Sequence, residues 1–131
     1  MGAITLQRIL LADDEPDILE VARIALEIVG GYEVSACTSG AELLERLPGF
    51  DPDLVVIDVL MPDMAGLEVL EKVRATPGYE KVPVIFLTGL VRDEDLEELR
   101  QSGVTEIIRK PFDPMTLADQ IDGVWEASGG R

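Results

Sequence analysis

Short apolar runs in this chain repeatedly end on groups that can do chemistry. Ile9-Leu10-Leu11-Ala12 leads into Asp13-Asp14-Glu15, and Leu54-Val55-Val56-Ile57 leads into Asp58. Val84-Ile85-Phe86-Leu87 leads into Thr88-Gly89, and Glu106-Ile107-Ile108-Arg109 leads into Lys110-Pro111. Carboxylates drawn into one small volume repel each other, so at neutral pH they either keep protons or hold a cation. Magnesium suits such a set, because it takes a few carboxylates and carbonyls and retains several waters. An ammonium and a hydroxyl beside that cation complete a site for phosphoryl oxygens. Asp58, flanked by both halves, is placed to attack phosphorus, and Gly89 leaves room for a phosphoryl group to approach the backbone.

Each group also has an ordinary reading when taken alone. A strand-end Asp is usually turn chemistry, since its side chain bonds nearby backbone N–H groups. The acidic triplet is well suited to cap a helix and to complement its dipole. Thr88 is a β-branched residue in a strand. The chemical reading therefore depends on elements that bring distant segments to one rim.

Those elements alternate strand with helix five times. Strands are predicted over 9–12, 33–37, 54–58, 84–89 and 106–112; the second is the most mixed in polarity, which suits an edge. Continuous aliphatic runs such as Leu54–Ile57 suit central parallel strands covered on both faces. Pro16 opens the first helix, whose Ile18, Val21, Ala22, Ala25, Ile28 and Val29 recur at helical spacing until Gly30-Gly31. Ser39 caps a second helix carrying Leu43, Leu44 and Leu47 and closed by Pro48-Gly49. Leu67, Leu70 and Val73 mark a third, which ends before Pro77-Gly78. The fourth, about 92–102, turns Val91, Leu96 and Leu99 inward and a run of acids to solvent. Asp113 caps the last, with Pro114 at its start and Leu117, Ala118, Ile121, Val124 and Trp125 along one side.

This alternation predicts the α/β class: a flavodoxin-like, doubly wound, five-stranded parallel sheet with five helices. Its commonest strand order, 2-1-3-4-5, sets the ends of the first and third strands side by side at the topological switch point. Asp13, Asp14 and Asp58 then converge, with Thr88 and Lys110 on neighbouring strand ends.

Composition fits one domain over residues 1–131, with a core at about 8–127. The chain is 47% hydrophobic and 28% charged, a globular balance. With 26 acidic against 11 basic residues, the net charge of −15 opposes direct binding to nucleic acid or to anionic membranes. No apolar run reaches membrane-spanning length and the first residues lack a secretory layout, which points to the cytoplasm. The chain has no histidine and a single cysteine, Cys37, so the usual zinc and copper ligand sets are missing and a metal here is a hard cation held by oxygen. Cys37 reads as a small buried thiol.

Taken together, the acidic pair after the first strand, the Asp-x-x-Met-Pro-x-x-x-Gly run from Asp58 to Gly66, Thr88-Gly89 and Lys110-Pro111-Phe112 resemble a response regulator receiver domain, with the motifs in family order across nearly the whole chain. The resemblance implies a phosphoacceptor signalling domain of the two-component, chemotaxis-regulator-like kind. It is not an enzyme acting on a separate substrate, although it can catalyse its own phosphorylation and dephosphorylation. Asp58 then takes a phosphoryl group from a histidine kinase or phosphotransfer protein. Asp13, Asp14, Asp58 and the backbone carbonyl of Leu60 hold Mg2+, Asp13 through water, while Thr88 and Lys110 hold the phosphoryl oxygens. The same resemblance implies a cis peptide bond at Lys110-Pro111. It further implies a switch through Thr88 and position 107, docking of a downstream protein or an attached output domain on the face made by helix 4, strand 5 and helix 5, and dimerisation on phosphorylation.

Two departures stand out. Ile107 occupies the position where many receivers carry a Tyr or Phe that swings inward with the threonine. Leu60 and Leu90, two residues beyond Asp58 and Thr88, are apolar where the family often has polar groups, and are read as shields of an acyl phosphate against water. Three rival readings fit less well. An aspartate phosphatase resembling haloacid dehalogenases needs a second acid at Leu60. A pseudo-receiver would lack the intact Asp, Thr and Lys set, and a flavin-binding flavodoxin needs a Ser/Thr-rich loop after the first strand.

Overall fold

A computed structural model describes residues 5–89 and 92–129 of the chain. Five parallel strands, β1 (Arg8–Ala12), β2 (Glu33–Cys37), β3 (Leu54–Asp58), β4 (Val84–Thr88) and β5 (Glu106–Arg109), form one sheet in the order β2-β1-β3-β4-β5. The helices are α1 (Pro16–Ile24), α2 (Gly40–Phe50), α3 (Gly66–Arg74), α4 (Asp93–Arg100) and α5 (Leu117–Ala127). A π-helical segment, Ala25–Val29, prolongs α1. This is the doubly wound, flavodoxin-like arrangement, with the topological switch point between β1 and β3.

The pleat sorts each central strand into two cores. Ile9 and Leu11, Leu54 and Val56, and Ile85 and Leu87 face α1 and α5, where they meet Leu19, Leu26, Leu117, Ile121 and Trp125. Leu10, Val55, Ile57, Val84 and Phe86 face the other way, toward Leu43 and Leu47 of α2, Val69, Leu70 and Val73 of α3, and Leu99 of α4. Strands β3 and β4 are buried at every position, which is why their sequences show no polar alternation. Edge strand β2 is buried only at Cys37, where loss of hydration pushes the thiol up to about 11.

Three element boundaries differ from expectation. Helix α2 runs through Pro48 and Gly49 to Phe50 and stops at Asp51, which is left-handed at φ 51° and whose N–H donates to the Leu47 carbonyl. A proline in the last turn costs one hydrogen bond there, and buried Leu47 with partly buried Phe50 holds the turn in place. Strand β5 ends at Arg109, because after the Lys110 N–H to Thr88 carbonyl bond (2.7 Å) Pro111 has no N–H to extend the ladder. The Lys110-Pro111 bond is cis. Helix α5 begins at Leu117: Asp113 accepts the Met115 N–H at 2.8 Å and forms a turn that leads into the helix without capping its first residue. Leu90 and Val91 lie outside the described residues.

Gly66, the first residue of α3, is packed against the strand it follows. A Cβ there would stand 2.8 Å from the Val59 Cα and 3.1 Å from the Asp58 carbonyl oxygen, both backbone atoms. At Gly49 nothing lies within 4 Å of the equivalent position. Gly66→Ala is expected to destabilise the fold by about 2 kcal/mol or more. Gly49→Ala should be neutral or stabilising by up to about 1 kcal/mol. Urea midpoints of the two variants decide; equal behaviour would contradict the close approach at Gly66.

Candidate functional site

The polar residues at the strand ends continue the pleat of the strands that carry them. Asp13 follows the side taken by Ile9 and Leu11, Asp58 that of Leu54 and Val56, and Lys110 that of Ile108. All three therefore emerge together on the α1 and α5 side of the rim. The Lys110 Nζ lies 2.7 Å from Asp13 Oδ2, 3.4 Å from Asp58 Oδ2 and 3.3 Å from Glu15 Oε1. Asp13 and Asp58 are 1% and 5% exposed, so these are nearly dry ion pairs. Carboxylate oxygens of Asp13, Asp14 and Asp58 lie within 4.8 Å of one another, Asp14 being half-buried.

Backbone contacts hold the carboxylates in place. Asp13 Oδ1 accepts the Glu15 N–H at 2.9 Å, and the Asp13 N–H donates to the Cys37 carbonyl at 3.1 Å, tying the end of β1 to the end of β2. Asp58 Oδ1 accepts the Leu60 N–H at 3.2 Å, which turns the Leu60 peptide toward the acids while its side chain remains 69% exposed. Thr88 is not part of this ion-paired group. It follows the opposite pleat, that of Val84 and Phe86, is 1% exposed, and lines a cavity of about 230 Å³ with Val59, Leu60, Leu67 and Leu99. Ile107 is the β5 partner of Phe86 and packs half-buried on the α2–α4 side. Glu15, which the sequence offers within an acidic triplet suited to helix capping or to a metal, proves to be a third partner of Lys110. The signal for it was the run of three acids, more than a single cap needs.

Charge around the site does not balance within the protein. Three acids, Asp13, Glu15 and Asp58, meet one ammonium, and a fourth, Asp14, lies beside Asp13 and Asp58. Burial, and next the neighbouring Asp13 charge, push the Asp58 carboxyl up to about 6 against the weaker pull of the Leu60 N–H and Lys110. Burial alone would lower Lys110, but Asp13, Asp58 and Glu15 outweigh it and hold the ammonium above its usual range. The buried Asp13 Oδ2 makes the shortest ion pair of the cluster, 2.7 Å to the ammonium, and no other partner among the described residues meets it. An all-oxygen donor set from Asp13, Asp14 and Asp58 with excess negative charge fits a small divalent cation.

A raised carboxyl favours the folded state where it is protonated and opposes it where it is ionised. Stability contributed by Asp58 is thus present in acid and lost as pH rises from the ordinary carboxylate range through about 6. In metal-free protein, Asp58→Asn is expected to raise the unfolding free energy at pH 7.5 by up to about 3 kcal/mol, with the gain shrinking toward pH 5. Millimolar magnesium should stabilise the wild type and not the variant. Denaturant titrations across pH, with and without the ion, measure both effects; a gain independent of pH would show that ionisation of Asp58 is not its cause.

Known proteins resemble this chain in sequence and fold. The model of the response regulator receiver domain matches residues 9–122. The chain is 38% identical over 109 residues to an uncharacterized 14.6 kDa protein in the sodA1 3' region of Leptolyngbya boryana, covering 83% of this chain and 82% of that one. It is 31% identical over 119 residues to the chemotaxis protein CheY-3 of Vibrio cholerae, covering 91% and 92%. The solved structure of the chemotaxis response regulator CheY4 of Vibrio cholerae superposes with a TM-score of 0.83 at 32% identity, over 92% of this chain and 99% of that one. Against several longer relatives, the chain spans only 25% to 49% of their length. With the family model covering most of the fold and regulators of matching length similar in both sequence and structure, the chain belongs to the response regulator receiver domain family.

Proposed function

We propose that Asp58 is the phosphoryl acceptor of this receiver domain. The observation that carries the reading is the ion-paired group at the sheet rim, in which Asp58 is shared between the Lys110 ammonium and the Asp13–Asp14 carboxylates. A carboxylate oxygen of Asp58 attacks phosphorus as the P–N bond of a donor phosphohistidine breaks, and the imidazole leaves. The product is an acyl phosphate, whose hydrolysis by water returns the carboxylate and inorganic phosphate. Acetyl phosphate can replace the protein donor, with acetate leaving, so the domain assists its own phosphorylation and dephosphorylation.

Asp13, Asp14, Asp58 and the Leu60 carbonyl are the residues to hold Mg2+, which when bound supplies positive charge opposite the transferring oxygens. Lys110 loses an ion-pair partner in Asp58 as the acyl phosphate forms and turns its N–H donors to the phosphoryl group. Thr88 donates its hydroxyl to a second phosphoryl oxygen after moving across the rim. The cavity it shares with Leu60, Leu67 and Leu99 gives it and α4 room to shift. Ile107 has no ring to swing, so transmission to the face made by α4, β5 and α5 passes through Thr88 and α4 packing.

The donor is a histidine kinase or phosphotransfer protein, and the recipient of the signal is a downstream protein or an attached output domain; dimerisation on phosphorylation uses the same face. A charge of −15 makes direct nucleic-acid binding by this domain unfavourable. The setting is the cytoplasm, and among the described residues no helix is long and apolar enough to cross a membrane.

Incubation with acetyl phosphate and magnesium should add one phosphoryl group to the wild type and none to Asp58→Asn, read by intact mass. Lys110→Ala should slow the reaction by at least about tenfold. Equal labelling of Asp58→Asn would end the assignment. Leu60, exposed at the mouth beside Asp58, is a shield against water, so Leu60→Asn should shorten the lifetime of the phosphorylated protein. A longer lifetime would reverse that role.

A further inference from the structure

We infer that Asp63 is a positioning residue whose carboxylate clamps the loop bearing the Leu60 carbonyl to the start of α2, and so sets the geometry of the cation site. The inference rests on Asp58 being the phosphoryl acceptor and its neighbours the cation ligands.

The first turn of α2 leaves the N–H groups of Gly40, Ala41 and Glu42 without helical partners, the first helical bond being that of the Leu43 N–H to the Ser39 carbonyl (3.2 Å). Ser39 Oγ takes the Glu42 N–H at 3.1 Å. The other two, Gly40 and Ala41, donate one each to the two oxygens of Asp63, at 3.1 and 3.0 Å. Asp63 lies 23 and 22 residues away, in the loop after β3. An acid at a helix N-terminus is favourable, but this one is supplied by a separate loop, so the bond joins two segments.

Packing of Val59 and Met64 against the core holds the loop as well. Its base is closed by the Gly66 N–H to the Val59 carbonyl at 2.8 Å, and Met61 is buried against the α2–α4 core. Between base and clamp stands the Leu60 peptide, whose N–H holds Asp58 Oδ1. Gly40 makes the approach feasible, since a Cβ there would meet Val69 Cγ2 at 2.8 Å and Met64 Cβ at 3.2 Å. The same connection reaches the other half of the site: Cys37, three residues before Gly40, accepts the Asp13 N–H. Residues 37–41 thus hold the Asp13 backbone at one end and the Asp63 side chain at the other. Rotation or outward drift of the 59–65 loop would move the Leu60 carbonyl relative to Asp13 and Asp14, and supporting contacts of this kind commonly govern metal affinity.

The test compares Asp63→Ala, Asp63→Asn and Ser39→Ala with the wild type in the full chain. Magnesium binding is followed by amide NMR, and acetyl phosphate labelling by intact mass across magnesium concentrations. Asp63→Ala should raise the magnesium concentration for half-saturation about tenfold, with labelling at saturating magnesium within about twofold of wild type. Asp63→Asn, which keeps one acceptor oxygen, should fall between and carries the comparison should the alanine variant not fold. Ser39→Ala removes a cap of the same helix end without touching the loop, and should leave half-saturation unchanged. Wild-type affinity in both Asp63 variants, or an equal loss in Ser39→Ala, would overturn the positioning role. A wild type that neither binds magnesium nor accepts a phosphoryl group would instead bring down the acceptor reading beneath it.

Discussion

A single ammonium, that of Lys110, faces more negative charge than it can neutralise. Asp13 and Asp58 are almost fully buried beside it, and Glu15 and Asp14 add charge from the wetter side. Ionised carboxylates in such a place lose most of their hydration, and one lysine restores only part of it. The deficit has two remedies within ordinary chemistry: a proton on Asp58, which accounts for its raised carboxyl, or an added cation. A site left under-neutralised in this way is suited to a divalent ion, which supplies the missing positive charge.

The sheet sets what that charge can reach. Asp13, Asp58 and Lys110 sit at equivalent pleat positions on three strands and share one side of the rim, whereas Thr88 belongs to the other. The rim is therefore divided into an ion-paired compartment above α1 and α5 and a second one between β4, α4 and the loop after β3, lined by Leu60, Leu67 and Leu99 with Asp95 and Glu98 at its α4 side. Leu60 joins them, its N–H on Asp58 and its side chain at the edge of the cavity that Thr88 lines.

Boundaries were less legible than elements. Pro48-Gly49 reads as a stop, yet α2 continues through it, because the packing of Leu47 and Phe50 outweighs one missing bond in a last turn. Asp113 has the chemistry of a cap and uses it on a preceding turn. Glu106–Phe112 is apolar enough for a longer strand, but its ladder ends where Pro111 has no N–H to give. In each case the local signal is real, and its reach is decided by a neighbour distant in sequence.

From the residues alone came the alternation of strand and helix, the order of the sheet, the burial of Cys37 and the group of acids, hydroxyl and amine at the strand ends. These are local properties: the period of apolar residues and the residue that interrupts each run depend on nothing beyond the segment. Only the tertiary structure decided that Glu15 joins Lys110, that Thr88 stands across the pleat from Asp58, and that Asp63 caps a helix two elements earlier. Those contacts span 95 residues in one instance and 22 or 23 in another. They follow from strand register and pleat parity, which exist only once the strands are paired.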